Sequence, residues 1–130
     1  MTDLLFVYGT LLSGIDHPMG RKLRNEATLL GPASTRGRLY QISWYPGLVP
    51  SNDGTEMVKG ELYRLPEPQK SFGWLDEYEA VDSGEYRRSV GEVFHKDSLL
   101  KAWMYIYQGN VAACKWLIGG DFKEAMHDLF

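Results

Sequence analysis

Three glycines lie inside three different stretches that read as β-strands: Gly37 within 36–42, Gly60 within 58–65 and Gly91 within 86–94. A glycine in a strand marks a bulge, a sharp bend or a close approach by another backbone. Three of them favour a strongly curved sheet or a small barrel over a flat open sheet. Two further strands fit the same plan. Leu4-Leu5-Phe6-Val7-Tyr8 is a continuous apolar run, expected where both faces of a strand are covered, and it stops at Gly9. In 102–107, Trp103, Tyr105 and Tyr107 alternate with Ala102, Met104 and Ile106.

Helices are few and short. Asp16 is placed to cap one that runs through Leu23, with Pro18 tolerated in its first turn. A second begins near Pro68 and carries the segment Leu75-Asp76-Glu77-Tyr78-Glu79. A third opens at Asp121 with Glu124 three positions on, a capping-box pattern, and turns Phe122, Ala125, Met126 and Leu129 inward. The expected fold is α+β: a mixed, strongly curved sheet forming a small barrel with a few short helices. No linker, repeat or low-complexity stretch divides residues 1–130, so one domain is expected.

Charge narrows the function classes. With 14 Lys plus Arg against 17 Asp plus Glu, the net charge of −3 gives no pull toward nucleic acid or an anionic membrane surface. A small-molecule partner is expected instead. The single Cys114, the absence of a charged-then-apolar leader and the lack of a long apolar run point to a cytoplasmic protein. The three histidines, His17, His95 and His127, show no ligand spacing, so no metal is expected. No phosphate loop, dinucleotide fingerprint or nucleophile elbow is present, and no cofactor is called for.

Two features carry chemistry. Wound at about 100° per residue from Phe72, the second helix gathers Phe72, Trp74, Leu75 and Tyr78 into an apolar arc of roughly 160° that also contains Glu79. Asp76 and Glu77 fall outside it. A carboxylate turned into apolar packing loses hydration, and its proton affinity rises toward neutral pH, which suits a general base. The alternative is that the helix ends first and Glu79 turns toward solvent or pairs with Arg87 or Arg88. The other feature is the turn Tyr8-Gly9-Thr10-Leu11 at the exit of the buried first strand. Its consecutive amides can form a nest for a carboxylate or a developing oxyanion, or simply a tight strand exit. The loop 43–55, with Trp44 and Tyr45 beside prolines, suits the rim of a pocket, or a cover for the sheet end. Tyr86 and Arg88 are the remaining rim candidates; Arg87 and Arg88 point to opposite faces of a strand.

These blocks line up with a known family. Phe6-Val7-Tyr8-Gly9-Thr10-Leu11, Tyr45-Pro46-Gly47-Leu48-Val49, Val58-Lys59-Gly60-Glu61-Leu62-Tyr63, Leu75-Asp76-Glu77-Tyr78-Glu79, Tyr86-Arg87-Arg88 and Ala102-Trp103-Met104-Tyr105 occur in that order. In them the chain resembles the gamma-glutamyl cyclotransferase-like family, in particular the short branch that includes gamma-glutamylamine cyclotransferases. The resemblance implies a small-barrel fold and an enzyme that cyclises a gamma-glutamyl group to 5-oxoproline, releasing the attached amine without metal or cofactor. It also implies that Tyr8, Gly9, Thr10 and Leu11 bind substrate and that Glu79 is the proton acceptor. One departure stands out: the family often has glycine after this glutamate, where this chain has Ala80. Competing readings are a non-catalytic module on the same fold, holding a small carboxylate or an acidic peptide end, and a protein-interaction domain using exposed rings. The leaving amine and the oligomeric state are not legible.

Overall fold

The computed structural model describes residues 2–51 and 54–127. In chain order it contains β1 (Leu4–Val7), α1 (Pro18–Glu26), β2 (Thr28–Gln41), β3 (Pro46–Pro50), β4 (Met57–Arg64), α2 (Pro68–Tyr78), β5 (Tyr86–His95), β6 (Ser98–Tyr107), β7 (Lys115–Trp116) and α3 (Phe122–His127). The expected mixed, curved sheet is present. Strands β1, β4, β2, β3 and β6 pair in that order, and β6 returns to β1, so five strands close a ring. Most pairs are antiparallel, whereas β1–β6 and β3–β6 are parallel.

The interior glycines account for part of this curvature. A Cβ on Gly60 would lie 2.1 Å from the Val7 carbonyl oxygen, so only glycine lets β4 approach β1 this closely. Gly37 has φ +156, and a Cβ there would meet the Val49 carbonyl oxygen at 2.7 Å, which ties the bend of β2 to its pairing with β3. Gly91 is different, because its added Cβ would meet only the flexible Met104 side chain. Leu5, Leu39, Leu48, Leu62, Tyr63 and Val93 are completely buried, as is Phe122 of α3; Leu62 and Tyr63 are neighbours on β4 and point to opposite faces, so the sheet is covered on both sides.

Several boundaries differ from expectation, each for a local reason. Strand β2 starts at Thr28 rather than Arg36, because a bulge between Leu29 and Gly31 shifts the register by one residue and lets the pairing with β4 resume through Gly31 and Pro32. Five residues of the expected loop 43–55 form β3, whose prolines stand at its two ends. Helix α1 is capped by His17 rather than Asp16: Nδ1 of His17 accepts the Met19 N–H at 3.1 Å, while Asp16 pairs with Arg21. In α3, Asp121 accepts the Glu124 amide at 3.3 Å, Phe122 is buried, and Ala125 and Met126 are partly buried. Leu129 lies outside the described residues. Among the described residues, no helix is long and apolar enough to cross a membrane.

Candidate active site

The site occupies a split in the barrel wall. Strands β1 and β3 lie along the same edge of β6, β1 opposite Trp103 and β3 opposite Ile106, and they diverge between those points. The Tyr8 hydroxyl fills the gap. It donates to the Tyr105 carbonyl at 2.6 Å and accepts the Leu48 N–H at 3.2 Å, so one phenol replaces missing ladder bonds on both sides. The Tyr86 hydroxyl adds a single bond, donating to the Pro46 carbonyl at 2.6 Å. Above these phenols opens a cavity of about 220 Å³ lined by the 8–11 turn, Trp44, Tyr45, Tyr78, Glu79, Tyr86 and others.

Helix α2 delivers Glu79 to this cavity. The helix proper ends at Tyr78 and Glu79 is its C-cap, yet the Glu79 amide still bonds the Leu75 carbonyl at 2.9 Å, so the side chain keeps the direction set by the apolar arc. The exit from the helix is a complete Schellman turn: the Ala80 amide reaches the Glu77 carbonyl at 3.1 Å and the Val81 amide reaches the Asp76 carbonyl at 3.0 Å. Such a turn needs a left-handed residue, and Ala80 supplies it with φ 53. The alanine therefore retains the backbone path a glycine would take, at a steric cost of about 1–2 kcal/mol.

The carboxylate of Glu79 stands without a cation. Among the described residues no hydrogen bond or ion pair engages it: of the two partners considered from sequence, Arg88 is committed to Asp76 and Arg87 makes no ion pair with it. Burial pushes its pKa up from 4.5 to about 8, with the charge of Glu85 adding in the same direction. Its place at a helix C-terminus, where the backbone dipole is negative, disfavours the anion further. Glu79 still touches the cavity and keeps a path to water through its mouth.

Around it stands a ring of phenols, all neutral at physiological pH. Burial raises the pKa of Tyr8 and of Tyr78, with the Glu79 charge contributing to both. Burial likewise raises Tyr86 and Tyr105 far above the usual phenol range. Tyr45 is pushed to about 12, mainly by its hydrogen bond to Glu85. At the entrance, Thr10 Oγ1 and the Tyr78 hydroxyl lie 2.6 Å apart, and His17 Nε2 lies 3.3 Å beyond. The His17 ring stacks on Trp44 with centroids 5.9 Å apart and planes 7° apart.

Of the residues singled out from sequence, the fold brings Tyr8, Gly9, Thr10, Leu11, Trp44, Tyr45, Glu79 and Tyr86 to one cavity. Gly9 serves by close approach, not by a positive φ: a Cβ there would sit 2.8 Å from Pro46 Cγ. Arg88 is the exception and does not line the cavity. It forms a fork with Asp76 at 2.9 and 3.4 Å, sandwiched against the rings of Phe72 and Trp103. Asp76 in turn accepts the Tyr105 hydroxyl at 2.7 Å, so the network braces the cavity wall from behind. Sequence reasoning missed Tyr78, Tyr105 and Glu85 as lining residues. Tyr78 shares the apolar arc with Glu79, whereas Glu85 sits in a turn with no local pattern to flag it. Among the described residues no group of three or more His, Cys, Asp or Glu is placed to hold a metal ion.

Comparison with known proteins agrees with this architecture. Residues 5–124 match the model of the family described as gamma-glutamyl cyclotransferase, AIG2-like. The chain is 37% identical over 125 residues to the gamma-glutamylcyclotransferase family protein YtfP of Escherichia coli (strain K12), covering 92% of this chain and 96% of that one. The solution structure of ytfP from Escherichia coli superposes with a TM-score of 0.64 at 33% identity, over 95% of this chain and 98% of that one. An uncharacterised protein from Pyrococcus horikoshii, PH0828, superposes with a TM-score of 0.72 at 26% identity, over 98% and 96% of the two chains. With this coverage and identity, the chain belongs to the gamma-glutamyl cyclotransferase, AIG2-like family.

Proposed function

We propose that the protein is a cofactor-independent gamma-glutamyl cyclotransferase that converts a gamma-glutamyl amine to 5-oxoproline and the free amine. The observation that carries this reading is the unpaired Glu79 carboxyl in the cavity, with its pKa near 8. The α-amino group at a peptide N-terminus has a pKa of about 8, and the free α-carboxylate beside it in a gamma-glutamyl group raises that value. The raised proton affinity of Glu79 narrows the gap between base and substrate, so the proton moves between them at a smaller free-energy cost than an ordinary carboxylate would impose. An ordinary glutamate would be too weak a base by more than three powers of ten.

The step balances without another reagent. Glu79 takes a proton from the substrate's α-ammonium, and the freed nitrogen attacks the γ-carbonyl carbon to close a five-membered ring. The bond from that carbon to the leaving nitrogen breaks as Glu79 returns the proton to that nitrogen, and the second proton, shed by the ring nitrogen as it becomes an amide, passes to the leaving amine, which departs as an ammonium. Amides of the 8–11 turn hold the substrate's carboxylate and carbonyl oxygens in this scheme. The Gly9 carbonyl closes that turn by accepting the Leu12 amide at 3.0 Å, and among the described residues no acceptor meets the Leu11 amide. Confinement of amine and carbonyl in a cavity of this size contributes up to about 7–11 kcal/mol in ideal geometry.

The test is 5-oxoproline release, measured by mass spectrometry on a pooled panel of gamma-glutamyl amines and peptides, with Glu79→Gln as the comparison. Release that requires Glu79 supports the proposal. A folded protein that releases nothing from the panel refutes it in favour of a binding module on the same fold.

A further inference from the structure

The cavity has an acidic, aromatic wall and no basic one. Glu79 and Glu85 both line it, and among the described residues that line it none is a lysine, arginine or histidine. Glu85 is held in place rather than free to swing: the Tyr45 hydroxyl donates to its carboxylate, and its own backbone carbonyl accepts the Gln108 amide at 2.9 Å. Beside it the Tyr45 ring meets Trp44 edge to face at 5.1 Å between centroids. Trp44 is 60% exposed yet fixed by its stack on His17, which leaves an indole face at the mouth. A positioned carboxylate next to aromatic faces is a cation site.

The proposed reaction uses only part of this equipment. Glu79 serves the α-amine and the 8–11 turn serves the glutamyl oxygens, which leaves Glu85, Tyr45 and Trp44 facing the group beyond the scissile bond. Resting on the cyclotransferase reading, we infer that this leaving group is a diamine: Glu85, presented by Tyr45, selects gamma-glutamyl conjugates whose far end carries a positive charge over those that end in a carboxylate. An amino acid or peptide leaving group would bring its carboxylate beside two others with no cation to pair it. A second ammonium instead finds an anion and a ring face.

Three conjugates with the same four-carbon chain decide the matter: gamma-glutamyl amides of 1,4-diaminobutane, of butylamine and of 4-aminobutyrate, which end in a cation, a methyl and a carboxylate. Dissociation constants are measured on Glu79→Gln protein, where chemistry is blocked, and kcat/KM on the wild type. The expected order is diamine, then butylamine, then aminobutyrate, with roughly tenfold between steps, and compression of the series in high salt. Glu85→Gln should bring the diamine-to-butylamine ratio to about one. Tyr45→Phe, which keeps the charge but frees the carboxylate, should reduce that ratio in part, and serves if Glu85→Gln fails to fold. Equal binding of the three conjugates, tightest binding of the aminobutyrate one, or a ratio unchanged in Glu85→Gln overturns the inference. Turnover without any ranking refutes charge selection and leaves the cyclotransferase intact. The predicted ranking in binding with no turnover supports Glu85 as a cation selector and refutes the reaction; no binding and no turnover refutes both.

Discussion

Replacing Glu79 by glutamine should make the protein more stable at alkaline pH, and the structure gives the size of the effect. The folded carboxyl has a pKa of about 8 against 4.5 when exposed. Below pH 4.5 both folded and unfolded chains hold the proton, and the group costs nothing. Between 4.5 and about 8 the folded chain holds more protons than the unfolded one, so stability falls as pH rises, by up to about 1.4 kcal/mol per pH unit. Above pH 8 the loss levels off, at roughly 5 kcal/mol if the site were sealed. Water entering by the cavity mouth screens the anion, so about half, near 2 kcal/mol, is the expected loss at pH 8. Glutamine has the shape of the protonated acid and no charge to bury. For a chain of this size, 2 kcal/mol corresponds to about 6–10 °C in Tm. The assay is thermal unfolding of wild type and Glu79→Gln at half-unit steps from pH 4.5 to 9, read as the difference between the two curves, which cancels every other titrating group. That difference should be near zero at pH 4.5, grow through neutrality and flatten near pH 8. A variant that melts lower than wild type at pH 8, or a difference that does not change with pH, would show that Glu79 is a paired structural residue and would refute the burial reasoning.

The remaining predictions rest on the same geometry. For the wild type, kcat/KM should fall about tenfold per pH unit below pH 8, as the base is lost to protonation, and Glu85→Gln should move that limb to lower pH because the neighbouring charge no longer opposes ionisation; a limb near pH 4.5 in the wild type would contradict it. Ala80→Gly should raise stability by about 0.5–1 kcal/mol, the relief of left-handed strain at φ 53 less the greater freedom of the unfolded glycine, visible as a Tm higher by a few degrees. Gly9→Ala should fold but lose on the order of a hundredfold in kcat/KM, because its Cβ would press on Pro46 at 2.8 Å and shift the turn by about 1 Å; unaltered kinetics would show that the turn does not position substrate.

What could be read from sequence and what could not divides along the distance of the interactions involved. The apolar arc that turns Glu79 inward spans a few residues of one helix, so the wheel locates the residue even though α2 ends one position earlier. The curvature was legible for a related reason, because a glycine inside a strand advertises a close approach even when its partner is unknown, as at Gly60 against Val7. Strand β3 was not: although it forms a hairpin with β2 through residues 42–45, its five residues read as a proline-bounded loop, and its pairing with β6 is non-local. Arg88 shows the limit of alternation. Period two tells which face of β5 a side chain takes, but not that α2 packs on that face and that Asp76 claims the guanidinium.

Glu85 completes the point, because the strength of the base depends on a residue that no local pattern selects. It reaches the cavity only through the pairing of Tyr86 with Tyr107, which starts β5 one residue after it, and through the Gln108 amide on its carbonyl. A one-residue slip of β5 against β6 would turn Tyr86 out of the wall, remove the phenol that bonds Pro46, and withdraw the Glu85 charge from Glu79 together. The buried helix C-cap alone makes Glu79 a poor acid. Correct closure of the barrel adds the second carboxylate, so the proton affinity of the proposed base reports on the register of strands that lie far from it in the chain.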